Sequence, residues 1–228
     1  MTGPQSHHDD ASPRLRDRAG EGVGFLLDAL RSRPVARRLL SGMSLLLAVI
    51  GVGLLAFPFA TNLWQERLQS RLDRQLASPA LRQSYQSGTV GEGDALTRIK
   101  IPAIHVDVVV VEGTSASALR AGAGHYPNTP LPGEVGNVAI AGHRTTYGKP
   151  FANLDQLKPG DTVELDTPVS RIIYQVAQNP FVVDASDWSP IAQTPDKTLT
   201  LTTCHPKHSA KQRLVVKAKF VSSEPLGS

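Results

Sequence analysis

From Leu39 to Phe59 the chain reads LLSGMSLLLAVIGVGLLAFPF, with no charged residue, close to the roughly 20 apolar residues that carry an α-helix across a bilayer. With its flanks, residues 37–62, this run predicts a single membrane-spanning helix. A cleaved signal peptide fits less well, because such a segment has an apolar stretch of about 7–15 residues close to the start of the chain. Residues 1–36 mix Gly, Pro, Asp, Arg and His without a period and are expected to form a disordered tail. Arg31, Arg33, Arg37 and Arg38 precede the span and Arg67, Arg71 and Arg74 follow it. That small bias leans towards a cytoplasmic N-terminus. Trp64 is expected at the far interface, where an indole suits the headgroup layer.

After the span the pattern changes twice. Leu63, Leu68, Leu72, Leu76 and Leu81 recur among Arg, Gln, Asp and Glu, which predicts an amphipathic helix or stalk with Pro79 ending its regular part. The run Ser87-Gly-Thr-Val-Gly-Glu-Gly93 reads as a linker, so residues 63–93 are a stalk and linker and residues 94–228 the folded domain. From Asp94 the β-branched and apolar runs are short: Leu96–Ile104, Val106–Glu112, Asn137–Gly142, Thr162–Asp166, Arg171–Ala177, Leu199–Cys204 and Leu214–Val221. Pro and Gly turns separate them, as in a closed or nearly closed β-barrel. Helix is confined to short pieces such as Ser115–Arg120 and Phe151–Leu157. The stretch Val182–Pro195, with Trp188, Pro190 and Pro195, reads as a loop. A net charge of +4 is spread along the chain without a basic run or interleaved aromatics, so nothing points to nucleic acid.

The chain has one cysteine, so no internal disulfide forms, and the thiol is either a buried small hydrophobe or a reactive group. Cys204 ends the alternation Thr198-Leu-Thr-Leu-Thr-Thr-Cys204, just before His205-Pro206. A strand end at a barrel rim exposes a nucleophile while fixing its direction; a buried core cysteine is the alternative reading of this position. Of the seven histidines, His7 and His8 lie in the tail, His105, His125 and His208 in expected turns, and His205 on the opposite face of the strand from Cys204. His143 closes Asn137-Val-Ala-Ile-Ala-Gly-His143 in a strand-end setting that matches the cysteine's. Arg213 opens the last strand, a plausible antiparallel neighbour of the cysteine strand, where a permanent cation suits an oxyanion or carbonyl clamp. Taken singly, each has an ordinary alternative: a hydrogen-bonded surface histidine and a solvated hairpin arginine. Cys204, His205 and His208 lack the ligand spacing of an ordinary zinc site, and no metal site is expected.

Together the strings Gly136-Asn-Val-Ala-Ile-Ala-Gly-His-Arg-Thr-Thr-Tyr-Gly-Lys-Pro-Phe151 and Leu199-Thr-Leu-Thr-Thr-Cys-His-Pro-Lys-His-Ser-Ala-Lys-Gln-Arg213 resemble the sortases, class E in particular. The resemblance covers about Leu96–Phe220. It implies a mainly β fold, an eight-stranded sortase barrel with short helices behind one N-terminal transmembrane helix, and no cofactor. It also implies a plasma-membrane protein with a cytoplasmic N-terminus and an extracytoplasmic catalytic domain. Cys204, His143 and Arg213 become the expected catalytic residues. The implied reaction is cleavage of a C-terminal sorting signal between Thr and Gly, with transfer of the acyl group to a peptidoglycan precursor amine; class E points to LAxTG rather than LPxTG. Thr202, Thr203, Tyr126, Thr145, Thr146 and Tyr147 are candidates for reading the signal. The rival readings are a pilin-polymerising sortase, a cysteine hydrolase, and an idle membrane-anchored binding barrel.

Overall fold

The structure is a computed structural model that describes residues 34–226, without the side chains of 36, 37 and 57–64. The expected tail up to residue 33 and the interfacial placement of Trp64 therefore lie outside the described residues. Two compact units are present, Met1–Pro58 and Phe59–Ser228.

In the first unit, helix α1 (Pro34–Leu76) includes Arg38–Ala56, 19 residues of mean hydropathy 2.3 with none of that stretch buried. Leu45, Leu54 and Leu55 project outward. A helix apolar all round with no protein covering it matches a bilayer's requirements in length and composition.

The second unit takes up α1 again at its C-terminal end. Leu72 is buried and Leu68 and Leu76 are partly buried against Ala95, Val109, Val111, Ala118 and Ala121. Gln69 spans the same seam, accepting from the Val109 amide at 2.8 Å and donating to the Ala121 carbonyl at 2.7 Å. The segment expected to be a stalk therefore carries a packed face. Pro79 plays a different part from the one expected: α1 stops at Leu76, and Pro79 opens a second helix, α2 (Pro79–Gln86), capped by the Ser78 hydroxyl. A first-turn proline loses nothing by lacking an N–H. Leu81 and Tyr85 of α2 are buried as well.

The barrel consists of β1 (Ala95–Ile101), β2 (Val106–Glu112), β3 (Ala123–His125), β4 (Asn137–Ala141), β5 (Thr162–Asp166), β6 (Ser170–Val176), β7 (Phe181–Asp184), β8 (Thr198–His205) and β9 (Gln212–Pro225). Helix α3 (Ala116–Ala121) joins β2 to β3, and 3-10 turns cover Pro102–Ile104, Leu154–Gln156 and Ser189–Ile191. The strand order is β6-β5-β1-β2-β3-β4-β8-β9-β7, and β6 also pairs with β9. The ring closes through that last pairing, leaving β7 outside it. Long β9 makes this possible, with its first half holding β7 and its second half holding β6. Ile99, Ile140, Leu165, Ile172, Leu199 and Leu201 fill the interior.

Two strands depart from the sequence reading. His125, expected in a turn, ends β3 and is buried, with Nδ1 2.8 Å from Glu112 Oε2 and Nε2 3.0 Å from the Pro130 carbonyl. Phe181–Asp184, whose last three residues fall in the expected loop, is the edge strand β7. Both are three or four residues long, too short for an alternation to register, and they exist because a neighbouring strand offers them a ladder.

Candidate active site

Pleat parity decides which side chains meet. Along β8, Leu199 and Leu201 point into the core, so Thr200, Thr202 and Cys204 point outward. On β4, Val138 and Ile140 face the core, which turns Asn137, Ala139, Ala141 and, beyond the strand, His143 to the outside. On β9, Leu214 and Val216 point inward and Arg213, Val215 and Lys217 outward. Cys204, His143 and Arg213 thus share one face at the same end of three adjacent strands.

The hydrogen-bond phase sharpens this placement. The Phe220 amide donates to the Lys197 carbonyl, so in the β8–β9 pair the odd-numbered residues of β8 exchange bonds. Cys204, opposite Arg213, belongs to a non-hydrogen-bonded pair, the closer kind, with Cα atoms about 4.5 Å apart. On the other side β4 runs parallel to β8 with Ala141 opposite Thr202, and the Gly142 amide donates to the Thr202 carbonyl at 3.0 Å. Continuing that register sets His143 beside Cys204. Gly142 is required here by close approach, since a Cβ would lie 2.5 Å from the Phe151 ring.

Cys204 and His143 are each part-exposed. No hydrogen bond joins the thiol to the imidazole among those of the described residues; the ring instead lies 5.1 Å from that of Tyr147. The Arg120 guanidinium sits 5.9 Å over the same tyrosine. Burial, and after it the Arg120 charge, hold the His143 imidazole below its ordinary pKa. Arg213 donates to the carbonyls of Ala210 and Gln212 at 2.9 and 3.1 Å. Its guanidinium is folded back onto the loop before β9, with donors left for a ligand.

The expected signal-reading residues separate into groups. Tyr126 and Thr202 join hydroxyl to hydroxyl at 3.1 Å, and with Arg213 and Trp188 they line a hollow of about 100 Å³. A larger groove of about 410 Å³ adjoins it, sharing Tyr126, Trp188 and Ile191. Tyr126 and Trp188 meet edge to face, with ring centres 6.4 Å apart. Thr203 is not in this groove; it is buried on the inner face and donates to the Gly142 carbonyl at 2.7 Å. Thr145, Thr146 and Tyr147 follow His143 instead of lining the groove, and Tyr147 and Lys149 adopt positive φ in a tight turn.

Two supports were not legible beforehand. The Pro190 carbonyl, under the Trp188 wall, is held by Asn137 Nδ2 at 3.0 Å and by the Lys217 ammonium. Arg144 is buried on the inner side of the His143 turn, with partners on two segments. Asn137 and Lys217 sit where alternation predicts an outward polar group, and Arg144 lies beyond the end of β4, where a polar turn residue is expected in solvent. His205 shares the inner face with Arg144 while Cys204 points outward, so these two residues do not converge on a common ion.

A strand-end thiol, an imidazole beside it, a guanidinium opposite it and an apolar groove alongside are the components of acyl transfer through a cysteine. Residues 99–221 match the family model of the sortase domain. The chain is 30% identical over 199 residues to sortase SrtE1 of Streptomyces coelicolor, covering 77% of this chain but only 56% of that protein's length. Among solved structures, sortase E from Streptomyces avermitilis is similar at 34% identity and a TM-score of 0.55, covering 59% of this chain and 93% of that one. The Clostridium perfringens sortase D5 transpeptidase is similar at 30% identity and a TM-score of 0.61, covering 69% and 98%. The match across the barrel, with Cys204, His143 and Arg213 at its rim, establishes that the chain belongs to the sortase family and that class E members are among its relatives.

Proposed function

We propose that the protein is a cysteine transpeptidase that joins secreted proteins to the cell wall. The observation that carries this reading is the convergence of Cys204, His143 and Arg213 on one face at the ends of β8, β4 and β9, next to the Tyr126–Trp188 groove. Cys204, as thiolate, attacks the carbonyl carbon between Thr and Gly of the sorting signal. The carbonyl oxygen becomes an oxyanion facing Arg213, whose charge is permanent. Collapse of the tetrahedral adduct breaks the C–N bond; His143, as imidazolium, gives its proton to the departing glycine amine and leaves a thioester on Cys204. A wall-precursor amine then attacks the thioester, and the now neutral His143 takes a proton from it. Collapse of the second adduct leaves a new amide in the product and expels the thiolate, so the thiolate and imidazolium are both restored.

The groove is the proposed seat of the signal, with Tyr126 and Trp188 packing on its apolar residues and Thr202 and Arg213 at the scissile end. An LAxTG preference rests on the likeness to class E members. The apolar helix Arg38–Ala56 supports a single membrane span; the reading of a cytoplasmic N-terminus with the barrel outside rests on the likeness to sortases and on the small excess of arginines before the span.

The test uses the full chain in detergent micelles with fluorogenic LAxTG and LPxTG peptides, with and without an added amine, followed by mass spectrometry. Expected are cleavage between Thr and Gly, an acyl adduct on Cys204, and transfer to the amine. Cys204→Ala loses all three. Folded protein that forms no adduct with either peptide would return the molecule to a binding barrel, and free acid as the main product despite saturating amine would make it a hydrolase.

A further inference from the structure

Arg144 is nine-tenths or more buried, and burying a guanidinium costs several kcal/mol before its partners return anything. One side of its fork meets Asp155, with Nη2 3.1 Å from Oδ1, and that carboxylate is half exposed. On the other side Nη1 lies 2.9 Å from His205 Nδ1 and 3.4 Å from the carbonyl oxygen of Cys204. Nε is buried with no partner at all. An apolar side chain of similar length would fill the same space without desolvating a cation, so packing alone is a poor reason for an arginine here.

Strand geometry gives a better reason. In the parallel β4–β8 ladder, the Gly142 amide takes the Thr202 carbonyl, and the next carbonyl on that side of β8 belongs to Cys204. β4 has ended at Ala141, and the chain turns outward through His143. The carbonyl of Cys204 is met by the Arg144 side chain, which extends the ladder by one bond beyond the backbone's reach. Arg144 follows His143 in sequence and grips the backbone of Cys204, so one rigid, planar group ties the two strand ends together.

We propose that Arg144 is a positioning residue that fixes Cys204 relative to His143, acting through the Cys204 carbonyl and the His205 ring. This rests on the reading of Cys204 and His143 as the reacting pair. It places the selectivity of Arg144 on the chemical step, because none of its contacts reaches the Tyr126–Trp188 groove.

The experiment compares the full chain in micelles with Arg144→Met, Arg144→Lys and Asp155→Asn. It measures kcat and KM on the LAxTG peptide, the rate of Cys204 alkylation by iodoacetamide, and the thermal midpoint. A misplacement of reacting groups by about 1 Å costs on the order of 100-fold. Arg144→Met is therefore expected to lower kcat roughly 30- to 100-fold with KM within about twofold, and to slow alkylation roughly tenfold. Arg144→Lys should restore part of the loss, since an ammonium can reach one acceptor but not both. A folded Arg144→Met protein with parental kcat and alkylation rate overturns the proposal. If Arg144→Met does not fold, Asp155→Asn decides: a loss of about threefold or more in kcat at an unchanged thermal midpoint supports it, and parental kcat overturns it. If the parent cleaves neither peptide, the alkylation ratio decides alone, and it is the transpeptidase reading that has failed.

Discussion

At the residue scale the functional reading depends on how His143 holds its proton. Its imidazole is pushed down first by burial and then by the charge of Arg120, whose guanidinium lies over the Tyr147 ring that the imidazole meets at a tilt. An acid that must protonate a leaving amine is weakened in population by such a shift but strengthened in proton-donating power. Arg120→Met is expected to move the acid limb of the kcat/KM profile upward, toward the ordinary imidazole range near 6.5; a limb that stays in place would remove Arg120 from the electrostatics of the site. The stability linkage has a definite sign. The unfolded chain protonates His143 at the ordinary pKa and the folded protein only at lower pH, so between the two the unfolded state binds more protons. Stability contributed here is present above the ordinary range and declines as pH falls through that window. Cys204, His143 and Arg213 were all legible in the sequence through their motif. Arg144 and Asn137 were not, because their roles are set by a neighbouring strand's carbonyl and a distant loop's carbonyl.

At the element scale the C-terminal end of α1 belongs to the barrel's packing. Leu72 is 6% exposed against Val109, Val111 and Ala118, while Gln69 and Gln75 bond the amides of Val109 and Ala95. Leu72→Ala is expected to cost about 2–3 kcal/mol, a fall in thermal midpoint of roughly 5–10 °C for a domain of this size. An unchanged midpoint by calorimetry would mean that the helix face is only resting on the barrel. The amphipathic spacing of these leucines was visible in the chain, but periodicity does not say what covers the face. The same limit explains Pro79. A proline breaks a helix or begins one according to what precedes it, and here the helix had already stopped at Leu76 and the Ser78 cap had formed.

At the scale of the whole molecule, the apolar helix and the barrel fall in separate compact units, and the proposed function requires the barrel to face away from the cytoplasm. The single cysteine makes this testable in intact cells. A membrane-impermeant maleimide should label Cys204 without lysis, and Cys204→Ala should abolish the signal; labelling that appears only after lysis would reverse the orientation. The sequence by itself pointed to the apolar span and the barrel class, because hydropathy and alternation are local properties written along the chain, and the likeness of its two long strings to sortases singled out Cys204, His143 and Arg213 as candidates. The tertiary structure alone decided the rest. Short β3 and β7 form only where a neighbour supplies a ladder, and the face on which Cys204, His143 and Arg213 meet depends on strand register. A one-residue slip of β9 would turn Arg213 into the core and leave the thiol without its cation.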